Sequence, residues 1–191
     1  MERYIVNLEI RETYVQGHAQ AHEDSAYFKY GADVDGIFFP NLPDSDYETD
    51  LERTLRKRMD LLPYPFNLRP EKNHRGWHIV SGQPITDQQI TEHWLKTHNI
   101  PFEKALLHDP EVIDIAVTDG PYDKAKMVGA AKTMHIRAEG ITHFCESDPV
   151  QAILIAAKSP MTRICWWNNQ LKIRKLIATG DWLNSGAKYT T

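Results

Sequence analysis

Apolar and polar positions along this chain sort into short apolar runs and longer amphipathic repeats. Residues 3–15 alternate loosely through Tyr4, Val6, Leu8 and Ile10, as a half-exposed strand does. From Tyr27 a mostly apolar run climbs to Asp33, is broken by Asp33, Asp35 and Gly36, and resumes at Ile37, Phe38 and Phe39. Such a run, ended by a glycine, predicts a buried strand entering a turn. Leu51, Leu55, Met59 and Leu62 then recur at helical spacing, with Arg53, Arg56, Lys57 and Arg58 on the other faces. Pro63, Pro65 and Pro70 break that pattern into an extended connection.

Trp77 to Val80 predicts a second strand, ending at Ser81-Gly82. Thr86 and Gln89 form a T-x-x-Q capping box for a helix that turns Ile90, Trp94 and Leu95 inward and ends near Asn99. Phe102 to Leu107 fits a short third strand, and Asp109 to Gly120 is ambiguous between a helix turn and a strand. Pro121-Tyr122-Asp123 opens a helix with Ala125, Met127, Val128, Ala131 and Met134 at helical spacing, stopped by Gly140. Ile141 to Cys145 is a fourth strand, Pro149 to Lys158 a helix, and Met161 to Trp167 a fifth strand. A Leu/Ile-bearing segment follows, and the end, residues 186–191, should fray. Strands alternating with helices predict a mostly parallel five-stranded sheet with right-handed crossovers, a Rossmann-like three-layer α/β sandwich.

Length and charge narrow the class. A chain of 191 residues fits one domain, with residues 38–76 as a possible small lid insertion and residues 1–25 as an N-terminal extension. The apolar fraction of 41% suffices for a core, and the formal net charge of −4 argues against nucleic-acid binding through a broad basic surface. Cys145 and Cys165 both sit in apolar runs and read as buried thiols of a reducing, cytoplasmic compartment. Charges inside the first apolar stretch exclude a signal peptide, and no run approaches membrane-spanning length.

The candidate chemistry starts at Asp33 and Asp35. Two carboxylates two residues apart at a strand end repel unless a cation or a shared proton compensates, and a hard divalent ion such as Mg²⁺ does so. The competing reading is a strand followed by an Asx-type turn. A calcium loop fails on spacing, because no register of Asp33 supplies the required ligands. His18 and His22, four apart, lack a third ligand in view and read as an exposed loop or helix turn. Further along, Ser81, Lys124, Glu146 and Asp148 each follow a predicted strand or open a helix. In a parallel sheet the carboxyl ends of the strands share one edge, so Asp33, Ser81 and Glu146 can converge there.

This ordered set resembles the haloacid dehalogenase-like superfamily of phosphohydrolases, across about residues 26 to 167. ADVDGI is similar to its first motif, HIVSG to its second, Lys124 in YDKAKMV to its third and THFCESD to its fourth. Ile37 stands where that family favours Thr or Val, and Ser147 separates two acids that are often adjacent. The resemblance implies a Mg²⁺-dependent phosphatase acting on a phosphomonoester. Asp33 would form an aspartyl-phosphate, Asp35 would act as general acid and then base, Ser81 would hydrogen-bond the phosphoryl oxygens, and Lys124 would offset their charge. Mg²⁺ would be held by the Asp33 side chain, the Asp35 carbonyl and either Glu146 or Asp148. Lys126 and Lys132 compete with Lys124 for the phosphate-facing role, and Lys124 is preferred because it opens the helix. Asp148, before Pro149 and three residues before Gln151, also reads as a helix N-cap, which leaves Glu146 as the preferred ligand. The substrate would be a phosphorylated molecule, with nucleic acid expected only in that capacity and no membrane partner. The basic helix within 44–62 would be a lid whose Arg53 and Arg56 meet an anion, against the alternative of a solvated surface helix. The alternatives in function are a non-catalytic relative that binds a phosphorylated ligand or partner, and a D-x-D metal-dependent glycosyltransferase.

Overall fold

Short apolar runs separated by amphipathic helices build a sheet with helices against both of its faces. The computed structural model describes residues 29–42, 51–64, 76–109, 120–169 and 173–177. The expected strand of residues 3–15, the His18/His22 pair, the acidic run from Asp44 to Asp50, Pro65, Pro70, residues 110–119 and the C-terminal end lie outside those residues. The strands are β1 (Tyr30–Ala32), β2 (Trp77–Pro84), β3 (Phe102–His108), β4 (His143–Glu146), β5 (Arg163–Asn168) and β6 (Ile173–Ile177). The helices are α1 (Leu51–Met59), α2 (Gln88–Thr97), α3 (Pro121–Glu139) and α4 (Pro149–Lys158).

The sheet order is β3-β2-β1-β4-β5-β6. The first five strands run parallel, as the alternation of strands and helices predicts, and β6 returns antiparallel along β5 from Asn168↔Ile173 to Ile164↔Ile177. This sixth strand comes from the Leu/Ile-bearing segment that the periodicity left unassigned. β1 is central, between β2 and β4, so its three residues are buried and Gly31 packs close to Phe144, Ile141 and the His78 carbonyl. One buried apolar cluster gathers Val34, Ile37, Phe38, Phe39, Trp77, Trp94 and Leu95 on one side. A second gathers Val80, Ile136, Phe144, Ala152, Ile155, Ile164 and Ile177 on the other. Two cores divided by a sheet make three layers. No helix among the described residues is long and apolar enough to cross a membrane. Cys145 and Cys165 are buried thiols, not joined in a disulfide, opposite each other on β4 and β5.

Several local expectations change. The second strand does not stop at Ser81 but runs to Pro84, with a register irregularity between Ser81 and Pro84. The T-x-x-Q box does not cap α2. A 3₁₀ turn, Ile85–Asp87, precedes the helix, Asp87 takes the cap position without a side-chain cap bond, and the Thr86 hydroxyl donates to Asp87 Oδ1 at 3.2 Å. Leu62 and Met134, the last apolar positions of their helical repeats, are exposed. In contrast, the two helix-boundary signals flanking β4 hold. Gly140 closes α3 in the left-handed conformation (φ 64°), and Asp148 Oδ1 caps α4, accepting the N–H groups of Val150 and Gln151 at 2.8 and 2.9 Å with Pro149 in the first turn.

Candidate active site at the carboxyl edge of the sheet

β1 ends at Ala32 and Asp33 follows directly, its N–H donating to the Cys145 carbonyl at 2.9 Å. Because Ala32 pairs with Cys145, Asp33 stands beside Glu146, the last residue of β4. Two buried carboxylates side by side demand a cation. The structure supplies Lys132, from the middle of α3. Its Nζ donates to Asp33 Oδ2 and to Glu146 Oε2, both at 2.7 Å, and its side chain is 1% exposed. The remaining oxygens are held by main chain: Asp33 Oδ1 accepts the Val34 N–H at 2.7 Å, and Glu146 Oε1 accepts those of Ser147 and Asp148 at 2.9 and 3.0 Å.

Burial pushes the Asp33 pKa up to about 7, opposed by Lys132 and reinforced by Glu146. Burial alone would lower Lys132, but the two carboxylates outweigh it and hold it above the ordinary lysine value. The cluster therefore keeps its ammonium charged while one of its acids sits near its titration point at neutral pH.

Lysine 132, rather than Lys124, is the lysine at Asp33. Lys124 is half-buried in the first turn of α3, and the charges acting most strongly on Asp33 are those of Lys132 and Glu146. Lys126 is exposed and pairs with Asp123 at 2.9 Å. The reason lies in helix geometry. Ala125, Val128, Lys132 and Ile136, spaced three, four and four apart, form the inward stripe of α3, and the other three are buried. A lysine interrupting an apolar stripe was the available signal, because it must find an anion inside. An apolar repeat drawn through Ala131 and Met134 does not single it out.

Asp35 lies two residues on, in different surroundings. Gly36 is left-handed (φ 75°), the Gly36 N–H donates to the Phe39 carbonyl at 2.7 Å, and the Phe38 N–H donates to Val34 at 3.0 Å, so the chain reverses tightly. A Cβ on Gly36 would lie 2.6 Å from the Ser147 side chain. Glycine is thus required both by φ and by the close approach of the β4–α4 loop. Ile37, Phe38 and Phe39 anchor the turn in the core, Phe39 packing edge-on to Trp94 with ring centroids 4.3 Å apart. The Ser147 hydroxyl donates to the Asp35 carbonyl at 2.8 Å. Asn169 Nδ2 donates to the carbonyls of Gly36 and Ile37, and Trp166 Nε1 donates to the carbonyl of Ser147. The end of β5 therefore fixes both loops of the site, a role that sequence reasoning did not find.

The Asp35 carboxyl accepts from Gln83 Nε2 at 2.6 Å and pairs with Arg58 at 3.5 Å. Its pKa is raised by burial, with Arg58 opposing. Arg58 comes from α1 and is buried, its guanidinium 5.0 Å above the Phe39 ring. The basic helix is thus not wholly a solvated face: Arg53 and Lys57 are exposed, and Arg58 points to the site. The side chain of Arg56 lies outside the described residues. Ser81 is 1% exposed, with its Oγ accepting the Gln83 N–H at 3.2 Å.

The donors fit magnesium in kind. Asp33, Glu146 and the Asp35 carbonyl are hard oxygens, and an acid whose pKa is raised by burial, with a second acid beside it adding to the rise, is a place where a further cation is favourable. No group of three or more His, Cys, Asp or Glu side chains among the described residues is placed to hold a metal by side chains alone. Asp148 spends Oδ1 on the α4 cap. No family model and no curated protein matches the chain.

Proposed function

We propose that the chain is a phosphohydrolase that cleaves phosphomonoesters through an aspartyl-phosphate on Asp33. The observation that supports this reading is the juxtaposition of Asp33 with Lys132 and Glu146 at the carboxyl edge of the central strand. A buried carboxylate held by an ammonium and facing the edge where open α/β sheets bind ligands suits nucleophilic attack on an anionic centre.

In the first step an Asp33 oxygen attacks phosphorus and the bond to the ester oxygen breaks. The Asp35 carboxyl gives its proton to the departing oxygen, a role suited to an acid whose pKa is raised by burial. In the second step water attacks the phosphorus of the aspartyl-phosphate, Asp35 takes a proton from that water, and inorganic phosphate leaves with Asp33 regenerated. Lys132 orients Asp33 and offsets the negative charge on the phosphoryl oxygens, and the Ser81 hydroxyl can hydrogen-bond those oxygens. Magnesium, where bound, would be held by Asp33, the Asp35 carbonyl and Glu146 and would add charge neutralisation. Helix α1, bearing Arg58, forms the lid.

Phosphate release from p-nitrophenyl phosphate with magnesium present tests the reading. Asp33→Asn keeps the shape and removes the nucleophile, so turnover should fall by about 10³-fold or more. Wild-type turnover in that variant, with its fold intact by circular dichroism, would discard the mechanism.

A further inference from the structure

The acid–base step requires that Asp35 be aimed at the leaving oxygen, and the side chain has a free torsion about Cα–Cβ that the turn alone does not restrain. Two side chains from separate elements reach it, and a third holds one of them. Gln83 Nε2 donates to Asp35 Oδ2 at 2.6 Å, and Arg58 faces Oδ1 from α1 at 3.5 Å. The Thr91 hydroxyl, in α2, donates to Gln83 Oε1 at 2.7 Å. With its NH₂ end on Asp35, the Gln83 amide leaves its oxygen to accept from Thr91. Gln83 and Thr91 are both buried, 8% and 3% exposed, so the bond between them is shielded from bulk water.

The backbone is adapted to this arrangement. Gln83 lies inside the register irregularity between Ser81 and Pro84, where β2 departs from regular pairing with β3. Such irregularities re-aim side chains and concentrate next to sites. The Ser81 hydroxyl accepts the Gln83 N–H, which ties the displaced segment to the site residue before it. The irregular strand end thus brings Gln83 onto the half-buried Asp35 carboxyl, a buried arginine faces the same carboxyl, and a helix hydroxyl fixes the Gln83 amide.

We propose that Thr91, Gln83 and Arg58 form a positioning relay that aims the Asp35 carboxyl for proton transfer, and that α1 enters the chemistry through Arg58. This inference rests on the phosphohydrolase reading. Thr91 touches neither Asp35 nor any other group of the proposed mechanism, so its effect must travel through Gln83.

Leaving-group dependence separates positioning from mere structure. An alkoxide needs a proton as it departs, whereas p-nitrophenolate scarcely does, so loss of an aimed acid penalises alkyl esters selectively. The assay compares kcat/KM for glycerol 2-phosphate and p-nitrophenyl phosphate, because that ratio reports the first, ester-cleaving half-reaction. Gln83→Met should lower kcat/KM for the alkyl ester about 30-fold and for the aryl ester less than about threefold. Thr91→Val should show the same selectivity at about fivefold, and Thr91→Ser, which keeps the hydroxyl, should restore wild-type values. Arg58→Lys, which keeps a charge but loses the guanidinium plane, should also penalise the alkyl ester selectively. In an Asp35→Asn background the Gln83 and Thr91 effects should disappear. Equal losses on both esters, no loss in Thr91→Val, or losses that persist without Asp35 would overturn the relay while leaving the nucleophile reading intact. Should the wild-type chain turn over neither ester, or Asp33→Asn turn over both, the function reading fails, and the relay with it.

Discussion

Asp33 and Asp35 are two residues apart and share one tight turn, yet they sit in opposite settings. Asp33 is enclosed, packed against Glu146, and compensated by a lysine that both carboxylates share. Asp35 is half-buried and is met by a neutral amide and a more distant arginine. The first setting is built from the rigid centre of the molecule, β1, β4 and the middle of α3. The second is assembled from the end of β2, the first helix and, through Gln83, α2. The contrast teaches that identical side chains acquire different settings from what surrounds them, and in the proposed mechanism one would attack and the other would move a proton.

The strongest way to break this contrast is to remove the shared cation. Lys132→Met leaves two buried carboxylates without their partner, so the fold should lose about 3–5 kcal/mol, with turnover falling at least about 100-fold. Urea melts and phosphate release check both. A variant as stable and active as wild type would mean that the triad is not the charged centre described.

Linkage sharpens the Asp33 half. Its folded pKa, about 7, lies above the ordinary aspartate value of 3.8. Below the unfolded value both states are protonated and nothing is lost. As pH rises from about 4 to 7 the unfolded state ionises first, so stability drains away through that window and levels off above it. Asp33→Asn cannot titrate. Without magnesium it should match wild type near pH 4 and exceed it at pH 7.5 by on the order of 2–4 kcal/mol. A stability difference that stays flat across that range would remove the raised pKa.

A smaller effect separates Glu146 from Asp148. Asp148→Ala should cost about 1 kcal/mol through the lost N-cap while leaving the magnesium dependence of turnover unchanged. A thermal melt and a magnesium titration decide this. A shifted magnesium midpoint would bring Asp148 back as a ligand. The least effect belongs to Lys124→Ala, within about 0.5 kcal/mol in stability and about twofold in kcat, since the ammonium at Asp33 is that of Lys132. A loss comparable to that of Lys132→Met would return the phosphate-facing role to Lys124.

Much of the molecule was legible in the order of its residues. Alternating apolar runs and amphipathic repeats define a five-stranded parallel sheet, because strand and helix periods differ and parallel strands require crossovers. Asp33 at a strand's carboxyl end, Glu146 at another, the glycine stop at Gly140 and the Asp148 cap all follow from local rules acting over a few residues. The sixth strand did not, since an edge strand with mixed side chains carries little periodicity of its own. Nor did the extent of β2 past Ser81, which pairing with β3 sustains.

Only the tertiary structure decided which cation reaches which acid. Lys124 and Lys132 are both lysines of one helix, and sequence position favours the helix start. The rotation of α3 against the sheet decides otherwise, because burying Ala125, Val128 and Ile136 carries Lys132 inward with them. The same holds for Arg58, 23 positions from Asp35 along the chain, and for Gln83, 48 positions away. Their partnership with Asp35 depends on how helices and strand ends come together in space, and no spacing along the chain encodes that distance. Local periodicity sets which face of each element is apolar. Packing of those faces sets which polar groups are trapped between them, and the chemistry proposed here resides in those trapped groups.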